Sequence, residues 1–422
     1  MGGGDAPPTS RTPQHVKILM VAPEPFLQPR GTPFSILYRM RALVDLGHEI
    51  DLLTYPIGRD VELPGVRLHR SPRVLGIRSV PIGPSVRKLL LDVGIHSAAK
   101  RLLSRRIYDV LHTHEEAGFF GGRLARRYGV KHVYDMHSQL SAQLGYYRFF
   151  RLGLFRSLFE TLERRAIRSA DVLITISPSL VRVARSIWPE ADPVLIENTQ
   201  EGDDLDPSCD AVELVTAGSS ASWESSFSGE TDLRARYRLP EDAVLVVYAG
   251  SFEPYQGLDL LVGGARLAVA HCPSLRFVFV GGEPRDIDRL QKLVHARGLA
   301  NHVSFTGRVD PSAIHGHLRQ ADILVSARSE GTNIPSKIYS YLKAGQAILA
   351  TSSEAHTQIL EPECSLLTPG TSEGLAQGLV TLAQDPALRR RLGDRGKEMA
   401  DERCSYETYL AATKKAYERL ER

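Results

Sequence analysis

The sequence predicts an α/β protein with two Rossmann-like domains, each a doubly wound parallel sheet covered by helices on both faces. Short apolar runs rich in β-branched residues alternate with amphipathic helical stretches along most of the chain. The runs are apolar throughout, which is typical of strands buried on both faces. This alternation stops once, near the middle of the chain, and then resumes. The length of 422 residues also favours two or three domains, at roughly 150 residues per domain.

The first domain is predicted over residues 15–198, after a disordered tail at residues 1–14. Its first strand covers residues 16–21, a helix covers residues 32–46, and the second strand covers residues 49–54. Further strands are predicted at residues 110–112, 131–134 and 172–176.

A linker over residues 199–232, acidic and then rich in Ser and Gly, leads to a second domain over residues 233–405. The residues after it, 406–422, have the pattern of a polar amphipathic helix. In the second domain, strands are predicted at residues 243–248, 276–280, 303–306, 323–326 and 347–350, with helices at residues 258–270 and 286–297.

The composition excludes several classes of protein. The chain is 42% hydrophobic and 24% charged, which is typical of a globular protein rather than a disordered or fibrous one. No apolar run reaches the ~18 residues of a transmembrane helix, and the N-terminus lacks the basic and apolar regions of a signal peptide. The four cysteines are far apart and fit no metal or redox motif. We therefore expect a cytoplasmic protein.

Charge is unevenly distributed along the chain. Residues 1–200 carry 28 Lys and Arg against 18 Asp and Glu, whereas the whole chain has a formal net charge of only +3. A basic first half favours an anionic partner such as a phosphorylated substrate, an anionic lipid or a nucleic acid. Mutual attraction between the basic and acidic halves is the alternative.

The loop after the first predicted strand has the features of a phosphate site. In doubly wound sheets, ligands bind beyond the carboxyl ends of the strands. Here Arg30 precedes Gly31 and Thr32, which open the first helix. Gly31 permits close approach of the backbone, Thr32 can cap the helix, and a helix N-terminus attracts phosphate. A plain strand-to-helix turn is the alternative.

Polar clusters follow two further strands of the first domain. His112 ends one strand and His114 and Glu115 follow it, and Asp135 and His137 follow the next strand. The three histidines could bind zinc, but no HExxH motif or Cys pair supports a metal site. We expect these residues to form hydrogen bonds with a hydroxylated substrate, with His112 the one most suited to a structural role.

The loops of the second domain combine glycines with cations, as a diphosphate site requires. They comprise residues 250–258, 280–283, 305–309 and 326–341. The candidate ligand-binding residues in them are Gly250, Ser251, Gln256, Gly281, Arg308, Val309, Arg328, Glu330, Gly331, Thr332, Asn333, Lys337 and Ser340.

The order of these motifs resembles the retaining glycosyltransferases of the GT-B fold, in the large glycogen-synthase-like family 4. The resemblance extends from about Lys17 to the C-terminus. It implies two domains facing a central cleft, with a last helix that crosses back to the N-terminal domain. It implies a nucleotide-sugar donor on the second domain, a glycan or lipid-linked acceptor on the basic first domain, and no cofactor.

The resemblance also implies roles for individual residues. The base would lie near Gly307–Val309, and the diphosphate would meet Gly31, the turn at Gly331–Asn333 and Lys337. Glu330 resembles the first Glu of the family's E-x7-E motif, which contacts the donor sugar. His137 resembles the N-terminal-domain histidine near the reacting centre. Transfer would occur with retention and without a protein nucleophile or a metal ion.

This chain departs from the family pattern at three positions. The Arg and Lys that grip the diphosphate correspond to Ser251 and Gln256. The second Glu of the E-x7-E motif corresponds to Ile338, or to Ser340 when the count is anchored on Gly345. We expect Lys337, with Arg328 or Arg30, to supply the missing positive charge.

Residues 145–168 begin with an aromatic and cationic stretch that suits a bilayer interface. A peripheral position on the inner face of the cell membrane is therefore one prediction. The alternative is a buried helix whose arginines extend to water.

Four other functions remain as alternatives. A sugar-nucleotide epimerase or phosphorylase-like enzyme would share the fold. A degenerate transferase that serves a partner enzyme would explain the altered motif residues. A nucleic-acid binder is disfavoured because no recognisable binding motif is present. A nicotinamide dehydrogenase lacks its G-x-G-x-x-G motif.

Overall fold

The computed structural model describes residues 15–26, 31–58, 64–74, 76–77, 80, 85–143, 153–199 and 232–421. The predicted tail at residues 1–14, residues 200–231 of the predicted linker, Arg30 and residues 145–152 lie outside the described residues.

Contacts between residues divide the chain into two compact units. The first comprises Met1–Ile176, Leu180–Ile196 and Tyr409–Arg422, and the second comprises Ser177–Ser179 and Glu197–Thr408.

The first unit contains a parallel sheet. Its strands are β1 Lys17–Ala22, β2 Glu49–Thr54, β3 Val66–Arg70, β4 Val110–His114, β5 Lys131–Met136, β6 Val172–Thr175 and β7 Val194–Leu195. Its helices are α1 Gly31–Asp45, α2 Val86–Arg105, α3 Gly118–Tyr128, α4 Leu140–Gln143, α5 Gly153–Ser169 and α6 Pro178–Ile187, the last of which begins in Ser177–Ser179 of the second unit.

The strand order in this sheet is β3-β2-β1-β4-β5-β6-β7, and every neighbouring pair is parallel. The order reverses between β1 and β4, so the ends of these two strands mark the switch point where such sheets bind ligands. All five residues of β4 are buried, including two histidines. Polar side chains of β4 are therefore buried near the carboxyl edge of this sheet.

The second unit repeats this plan. Its strands are β8 Val244–Ala249, β9 Leu275–Val280, β10 Val303–Gly307, β11 Ile323–Ser326, β12 Ala347–Thr351 and β13 Leu366–Thr368. Its helices are α7 Leu233–Arg236, α8 Leu258–His271, α9 Pro284–Ala296, α10 Pro311–Arg319, α11 Lys337–Ala344, α12 Glu354–Thr357, α13 Ser372–Gln384 and α14 Pro386–Arg403.

The strand order of the second sheet is β10-β9-β8-β11-β12-β13, again with parallel pairs. One apolar cluster packs against each face of this sheet, since alternate residues of β8 belong to different clusters. Burial on both faces explains why the strands read as continuous apolar runs. The predicted fold class of two Rossmann-like α/β domains is confirmed.

The last helix, α15 Tyr406–Glu418, begins in the second unit. From Tyr409 onward its residues belong to the first unit, so the chain returns there as predicted. A short 3₁₀ turn, Arg419–Glu421, follows it.

Three short strands, β3, β7 and β13, were not predicted. β3 reads Val-Arg-Leu-His-Arg, an alternating pattern at the edge of the sheet, and β7 has only two residues. No helix in the described part of the chain is both long enough and apolar enough to cross a bilayer.

Candidate functional site

Glycines allow the loops of the second unit to pack backbone against backbone at the carboxyl edge of the sheet. Gly257 has φ +72° and Gly281 has φ +106°, both in the left-handed region. A Cβ atom on Gly257 would overlap the carbonyl oxygen of Ala327, and one on Gly281 would overlap that of Gly250. The loops after β8, β9 and β11 are therefore joined at positions that exclude a side chain.

Lys337 places an ammonium group among these loops. It is the first residue of α11, and its Nζ donates a hydrogen bond to Oε1 of Gln256 at 2.9 Å. The same Nζ lies 3.9 Å from the ring centroid of Tyr248 and would lie 3.3 Å from a Cβ atom on Gly250. Among the described residues, no carboxylate pairs with it. Burial, and then the nearby charge of Arg328, hold the pKa of Lys337 well below its usual value.

A half-buried ammonium without an acidic partner among the described residues favours binding of an anion, because the anion offsets the free energy that the ammonium loses on leaving water. The glycine beside it would let a phosphate approach the backbone closely. Gly250, Gln256 and Lys337, predicted separately to bind the donor, thus lie together in the structure.

Arg328 shapes the loop that carries Glu330. Its Nε donates to the backbone carbonyl of Glu330 at 2.8 Å, and its guanidinium lies 5.3 Å from the ring centroid of Tyr255. Gly331, with φ +94°, makes the turn, and a Cβ atom there would overlap the guanidinium of Arg328. The Glu330 side chain is exposed, and no residue in the described ranges forms a hydrogen bond or ion pair with its carboxylate. It remains available to a ligand.

A buried histidine, His356, is linked to this loop by hydrogen bonds, and the sequence analysis did not identify it. His356 Nε2 lies 2.9 Å from the Ser326 hydroxyl, and its Nδ1 lies 2.9 Å from the carbonyl oxygen of Thr351. The Thr351 hydroxyl in turn donates to the carbonyl oxygen of Arg328. Burial lowers the pKa of His356 to about 4, so the ring is neutral and can donate at Nδ1 while accepting at Nε2.

Other predicted donor residues lie around this cluster. Arg308 forms an ion pair with Glu283, and both side chains are exposed. The backbone N–H of Gly281 donates to the carbonyl of Gly307 at 2.9 Å, which joins the ends of β9 and β10. Val309 packs against an apolar cluster of the unit.

The remaining residues predicted to bind the sugar donor differ in burial and in their hydrogen bonds. Ser251 is exposed, and its carbonyl accepts a hydrogen bond from Tyr248 at 2.6 Å. The Thr332 carbonyl accepts from Gln358 at 2.6 Å. Asn333 and Ser340 are half-buried. Gly31 and Thr32 open α1 as expected, whereas Arg30 lies outside the described residues.

The predicted histidine cluster of the first unit is brought together around Asp135. His137 Nε2 lies 3.2 Å from Asp135 Oδ1 and 3.1 Å from His114 Nδ1. His112 Nε2 lies 3.5 Å from Asp135 Oδ2, and its ring stacks on that of His114. His112, His114 and Asp135 are fully buried, whereas His137 keeps a small exposed fraction. Direct contact of these three with an acceptor stays a prediction.

Arg39 of α1 completes this cluster and was not predicted. Its Nε donates to Asp135 Oδ2 at 3.0 Å, and its Nη1 donates to the Thr413 hydroxyl of α15 at 2.8 Å. Tyr417, also on α15, places its hydroxyl 2.8 Å from His112 Nδ1. The last helix is therefore joined to the carboxyl ends of β4 and β5 by buried hydrogen bonds.

The charges within the cluster alternate. Burial alone would raise the pKa of Asp135, but Arg39 and His137 hold it well below its usual value. Burial opposes protonation of His137, yet Asp135 raises its pKa overall. Burial lowers the pKa of His112 and His114. These shifts favour the charged forms of Arg39, His137 and Asp135 and the neutral forms of His112 and His114.

Ligand atoms of His112, His114 and Asp135 lie within 4.8 Å of one another, close enough to suggest a metal centre. The Arg39 guanidinium, 3.0 Å from Asp135, already supplies the positive charge that a metal ion would bring. A second cation there would meet strong repulsion in a buried site. The geometry fits a hydrogen-bonded network better than a metal site.

Glu115 stands beside this cluster in a strained conformation. It is a non-glycine residue with φ +47°, and it is buried. Its Oε2 accepts a hydrogen bond from the Ser138 hydroxyl at 2.8 Å. Burial raises the pKa of Glu115 to about 7. Strain of this kind persists where the surrounding structure enforces it, often at functional sites.

Glu24 and Glu116 lie in the loops after β1 and β4, and they contact a residue of α2 that the sequence analysis did not identify. Lys88 Nζ lies 2.7 Å from Glu116 Oε1 and 3.9 Å from Glu24 Oε1. The Tyr55 hydroxyl donates to Asp92 Oδ1 at 2.5 Å. Lys88 and Asp92 lie on α2, in a segment whose polar residues carry no recognisable motif.

The predicted membrane segment is described only in part, because residues 145–152 lie outside the described ranges. Within α5, Leu158 is 52% exposed, and Arg164 and Arg165 are exposed. Ring contacts of 5.6 Å between Phe119 and Phe159 join α3 to α5. A second apolar patch on α2 comprises Leu89, Leu90 and Val93, each at least 48% exposed.

Comparison with known proteins adds family information to this geometry. Residues 31–199 match the family model described as "Glycosyl transferase 4-like domain", and residues 229–399 match "Glycosyl transferases group 1". Together the two models account for most of the chain.

Among curated proteins, a phosphatidyl-myo-inositol mannosyltransferase of Mycolicibacterium smegmatis is 25% identical over 378 residues, covering 89% of this chain and 86% of that protein. A D-inositol 3-phosphate glycosyltransferase of Acidothermus cellulolyticus is 24% identical, covering 90% of this chain and 85% of its own.

Among solved structures, a sucrose-phosphate synthase from Thermosynechococcus elongatus superposes with a TM-score of 0.75 at 20% identity, covering 96% of this chain and 99% of that one. Anabaena HepE in complex with UDP superposes with a TM-score of 0.67 at 16% identity, covering 94% and 97%. These likenesses establish a shared fold.

Proposed function

Since the chain belongs to the group 1 glycosyltransferases, we propose that it moves a sugar from a nucleoside-diphosphate sugar to a hydroxyl of a lipid-linked acceptor, with retention of configuration. The observation that carries the donor part is the environment of Lys337. An ammonium without an acidic partner among the described residues lies beside a glycine turn at the carboxyl edge of a doubly wound sheet. That combination suits a diphosphate.

In this proposal, Lys337 supplies the positive charge that the resemblance implies for a Lys in the loop after β8. Gln256 occupies the position of the family's Lys, and it accepts a hydrogen bond from Lys337. The ammonium therefore reaches the same loop from α11 instead of from the loop itself. As the diphosphate leaves, this cation and Arg328 stabilise the negative charge that develops on it.

Glu330 then orients the donor sugar. Its carboxylate is exposed, while its backbone is fixed by Arg328 and, through Thr351, by His356. A carboxylate held in this way can accept hydrogen bonds from sugar hydroxyls. His137 contacts the reacting sugar, and the acceptor hydroxyl attacks from the face that the diphosphate leaves. A leaving phosphate oxygen takes the acceptor proton, so that no protein nucleophile is required.

No metal ion takes part in this mechanism, since Lys337 and Arg328 supply the positive charge. Chelation of divalent cations should therefore leave the transfer rate unchanged. A loss of transfer on chelation that added Mg²⁺ or Mn²⁺ restores would contradict this part of the proposal.

A lipid-linked acceptor is supported by the surface of the first unit. Exposed Leu158 lies among exposed arginines, and α2 carries an exposed apolar patch. Such surfaces suit the interface of an anionic bilayer. Relatives named for phosphatidyl-inositol and D-inositol 3-phosphate substrates support a polyol headgroup.

Sedimentation with liposomes tests whether this surface of the first unit binds an anionic bilayer. Replacing the exposed residues Arg164 and Arg165 of α5, together with exposed Arg123 of α3, by Gln should release the protein from anionic vesicles. The matched control replaces Arg285, Lys292 and Arg297, which are exposed in the second unit. Equal binding by both triple variants, or no binding by the wild type, would exclude this surface.

The transfer reaction itself is tested with a panel of nucleotide sugars and a lipid extract containing inositol and polyprenyl headgroups. Release of nucleoside diphosphate should accompany formation of a glycosylated lipid. NMR of that lipid should show the anomeric configuration of the donor. An inverted product would exclude retention. Nucleotide binding without transfer would instead favour a degenerate transferase, an alternative to which the missing acid at Ser340 also points.

A further inference from the structure

Two buried hydrogen bonds lead from the last helix to Asp135, and an ion-pair contact leads from Asp135 to His137. Thr413 of α15 accepts from Arg39 Nη1 at 2.8 Å, Arg39 Nε donates to Asp135 at 3.0 Å, and Asp135 lies 3.2 Å from His137. Arg39 is only 1% exposed, and Asp135 and Thr413 are fully buried. Charges this deeply buried persist only when each has a well-placed partner.

The two carboxylate oxygens of Asp135 have different partners. Oδ2 accepts from Arg39 Nε, and Oδ1 lies 3.2 Å from His137 Nε2. The carboxylate is thus held from one side by Arg39 and presented to His137 on the other. A neutral amide at this position could not neutralise both cations.

This arrangement determines which nitrogen of His137 can serve a ligand. Nε2 faces Asp135 at 3.2 Å and His114 at 3.1 Å. Only Nδ1 remains for the reacting sugar. A half-turn of the ring about its Cβ–Cγ bond would put Cε1 where Nε2 lies and would lose the contact with Asp135, so the carboxylate opposes that rotation.

The last helix fixes the other end of this series of contacts. The Thr413 hydroxyl donates to the carbonyl of Tyr409 at 2.9 Å, so its oxygen is oriented to accept from Arg39. The Tyr409 ring lies 4.8 Å from the Arg39 guanidinium. A cation stacked on a ring and bonded to a hydroxyl of the same helix has little freedom to move.

We propose that Arg39, Asp135 and Thr413 are positioning residues for His137. Through Thr413, the last helix then helps to orient a histidine of the first unit's candidate site. The inference rests on the proposed function only in that His137 serves sugar transfer. The positioning itself can be measured in the absence of any substrate.

NMR titration of the histidine rings in the full-length protein tests the network. Burial has the largest effect on the pKa of His137 and lowers it; Asp135 and Glu115 raise this pKa, and Arg39 lowers it. Neutral His114 contacts Nε2 of the same ring. Asp135→Asn should therefore lower the pKa of His137, and Arg39→Met should raise it. The His137 signals are assigned from their loss in His137→Gln. Shifts in the same direction, or no shifts in folded variants, would overturn the proposal.

Removal of a buried charge can unfold a protein, so a milder pair of variants accompanies these two. Thr413→Val keeps the shape of the side chain and removes the acceptor for Arg39. It should lower kcat roughly tenfold, the loss expected for a hydrogen bond to a charged group, with KM for the donor unchanged. Thr413→Ser should restore kcat, and Thr408→Val, at an exposed position on the same helix, serves as the control.

Normal kcat in Thr413→Val would exclude the last helix from the site. If the wild type transfers no sugar, the proposed function fails while the NMR titration still decides the network. If transfer is present but His137 responds to neither Asp135→Asn nor Arg39→Met, the network fails and the proposed function stands.

Discussion

The Nζ atom of Lys337 donates a hydrogen bond to Oε1 of Gln256 at 2.9 Å, although 81 residues separate them in the chain. The resemblance to family 4 implies a cation at the position of Gln256, and here a cation arrives from the neighbouring helix. An amide that accepts from Lys337 holds the ammonium without neutralising it. Among the described residues no acid offsets the charge of protonated Lys337, which suits a donor diphosphate, and this relationship underlies the donor half of our proposal.

Lys337→Ala should weaken nucleoside-diphosphate binding by roughly 10- to 100-fold, because a hydrogen bond to a charged group contributes about 1.5–3 kcal/mol. Isothermal titration calorimetry measures the change. Lys292→Ala, at an exposed position on α9, is the matched control and should bind normally. Equal affinities in the two variants would remove Lys337 from the donor site.

Binding of the diphosphate should also take up protons. The pKa of Lys337 is lowered in the free protein, and a bound anion favours its charged form. Affinity should therefore be constant at low pH and fall as the pH rises through the pKa of the free lysine. The calorimetric enthalpy should vary with the ionisation enthalpy of the buffer, and this variation should vanish in Lys337→Ala. Absence of proton uptake by the wild type over the pH range in which its affinity falls would contradict the assignment.

Glu330→Gln should lower kcat by at least about 100-fold while leaving nucleotide affinity within about twofold, since a sugar-orienting carboxylate acts mainly in the transition state. Steady-state kinetics and nucleotide titration separate the two quantities. The control is Glu373→Gln, at an exposed position on α13. An unchanged kcat in folded Glu330→Gln would show that this carboxylate does not act on the sugar.

Gly257→Ala should destabilise the second unit more than Gly298→Ala does. Both glycines have nearly the same backbone angle, φ +72° and φ +71°. A Cβ on Gly257 would overlap the carbonyl of Ala327, whereas a Cβ on Gly298 has nothing within 4 Å. We expect a loss of about 1 kcal/mol at Gly298 and about 2–4 kcal/mol at Gly257. Chemical denaturation gives both values, and equal losses would exclude the close approach of the two loops.

Glu115→Gln should stabilise the protein at pH 8 but not at pH 5. Burial raises the pKa of Glu115 from 4.5 to about 7. The folded state thus binds more protons than the unfolded state between these values, and stability falls as the pH rises through that window. The uncharged amide avoids this loss, so the gain at pH 8 should be about 1–3 kcal/mol.

Thermal unfolding at the two pH values tests the Glu115 prediction, with exposed Glu241→Gln as the control. A gain of the same size at pH 5 and pH 8 would show that the effect does not come from the titration of Glu115.

Much of the fold follows from local pattern. The buried strand β8 and the helix after it were predicted within one or two residues, because a strand buried on both faces leaves a continuous apolar run in the sequence. The edge strand β3 alternates apolar and basic residues and is half-buried, so that no such run marks it. Local pattern thus identifies central strands better than edge strands.

Candidate site residues were found where they end a strand or follow it directly, as His114 and His137 do. Arg39 could not be found in this way, since it lies within an apolar helix and its partners are 96 and 374 residues away. Its role depends on the tertiary arrangement alone. His356 had a weak signal, a histidine five residues beyond the end of β12, that a fuller survey of strand ends could have detected.

Calorimetric and thermal-shift titration of the full-length protein with UDP, GDP, ADP, CDP and dTDP, and with the corresponding sugars, tests the central claim most directly. A ligand at ~100 times its Kd should add about 2.7 kcal/mol to the free energy of unfolding. We predict that one nucleotide class stabilises the wild type. At the same ligand concentration, Lys337→Ala should keep no more than about 1.4 kcal/mol of this stabilisation, while Lys292→Ala keeps all of it. Absence of stabilisation by every nucleotide, or a full response in Lys337→Ala, would contradict a donor site built on Lys337.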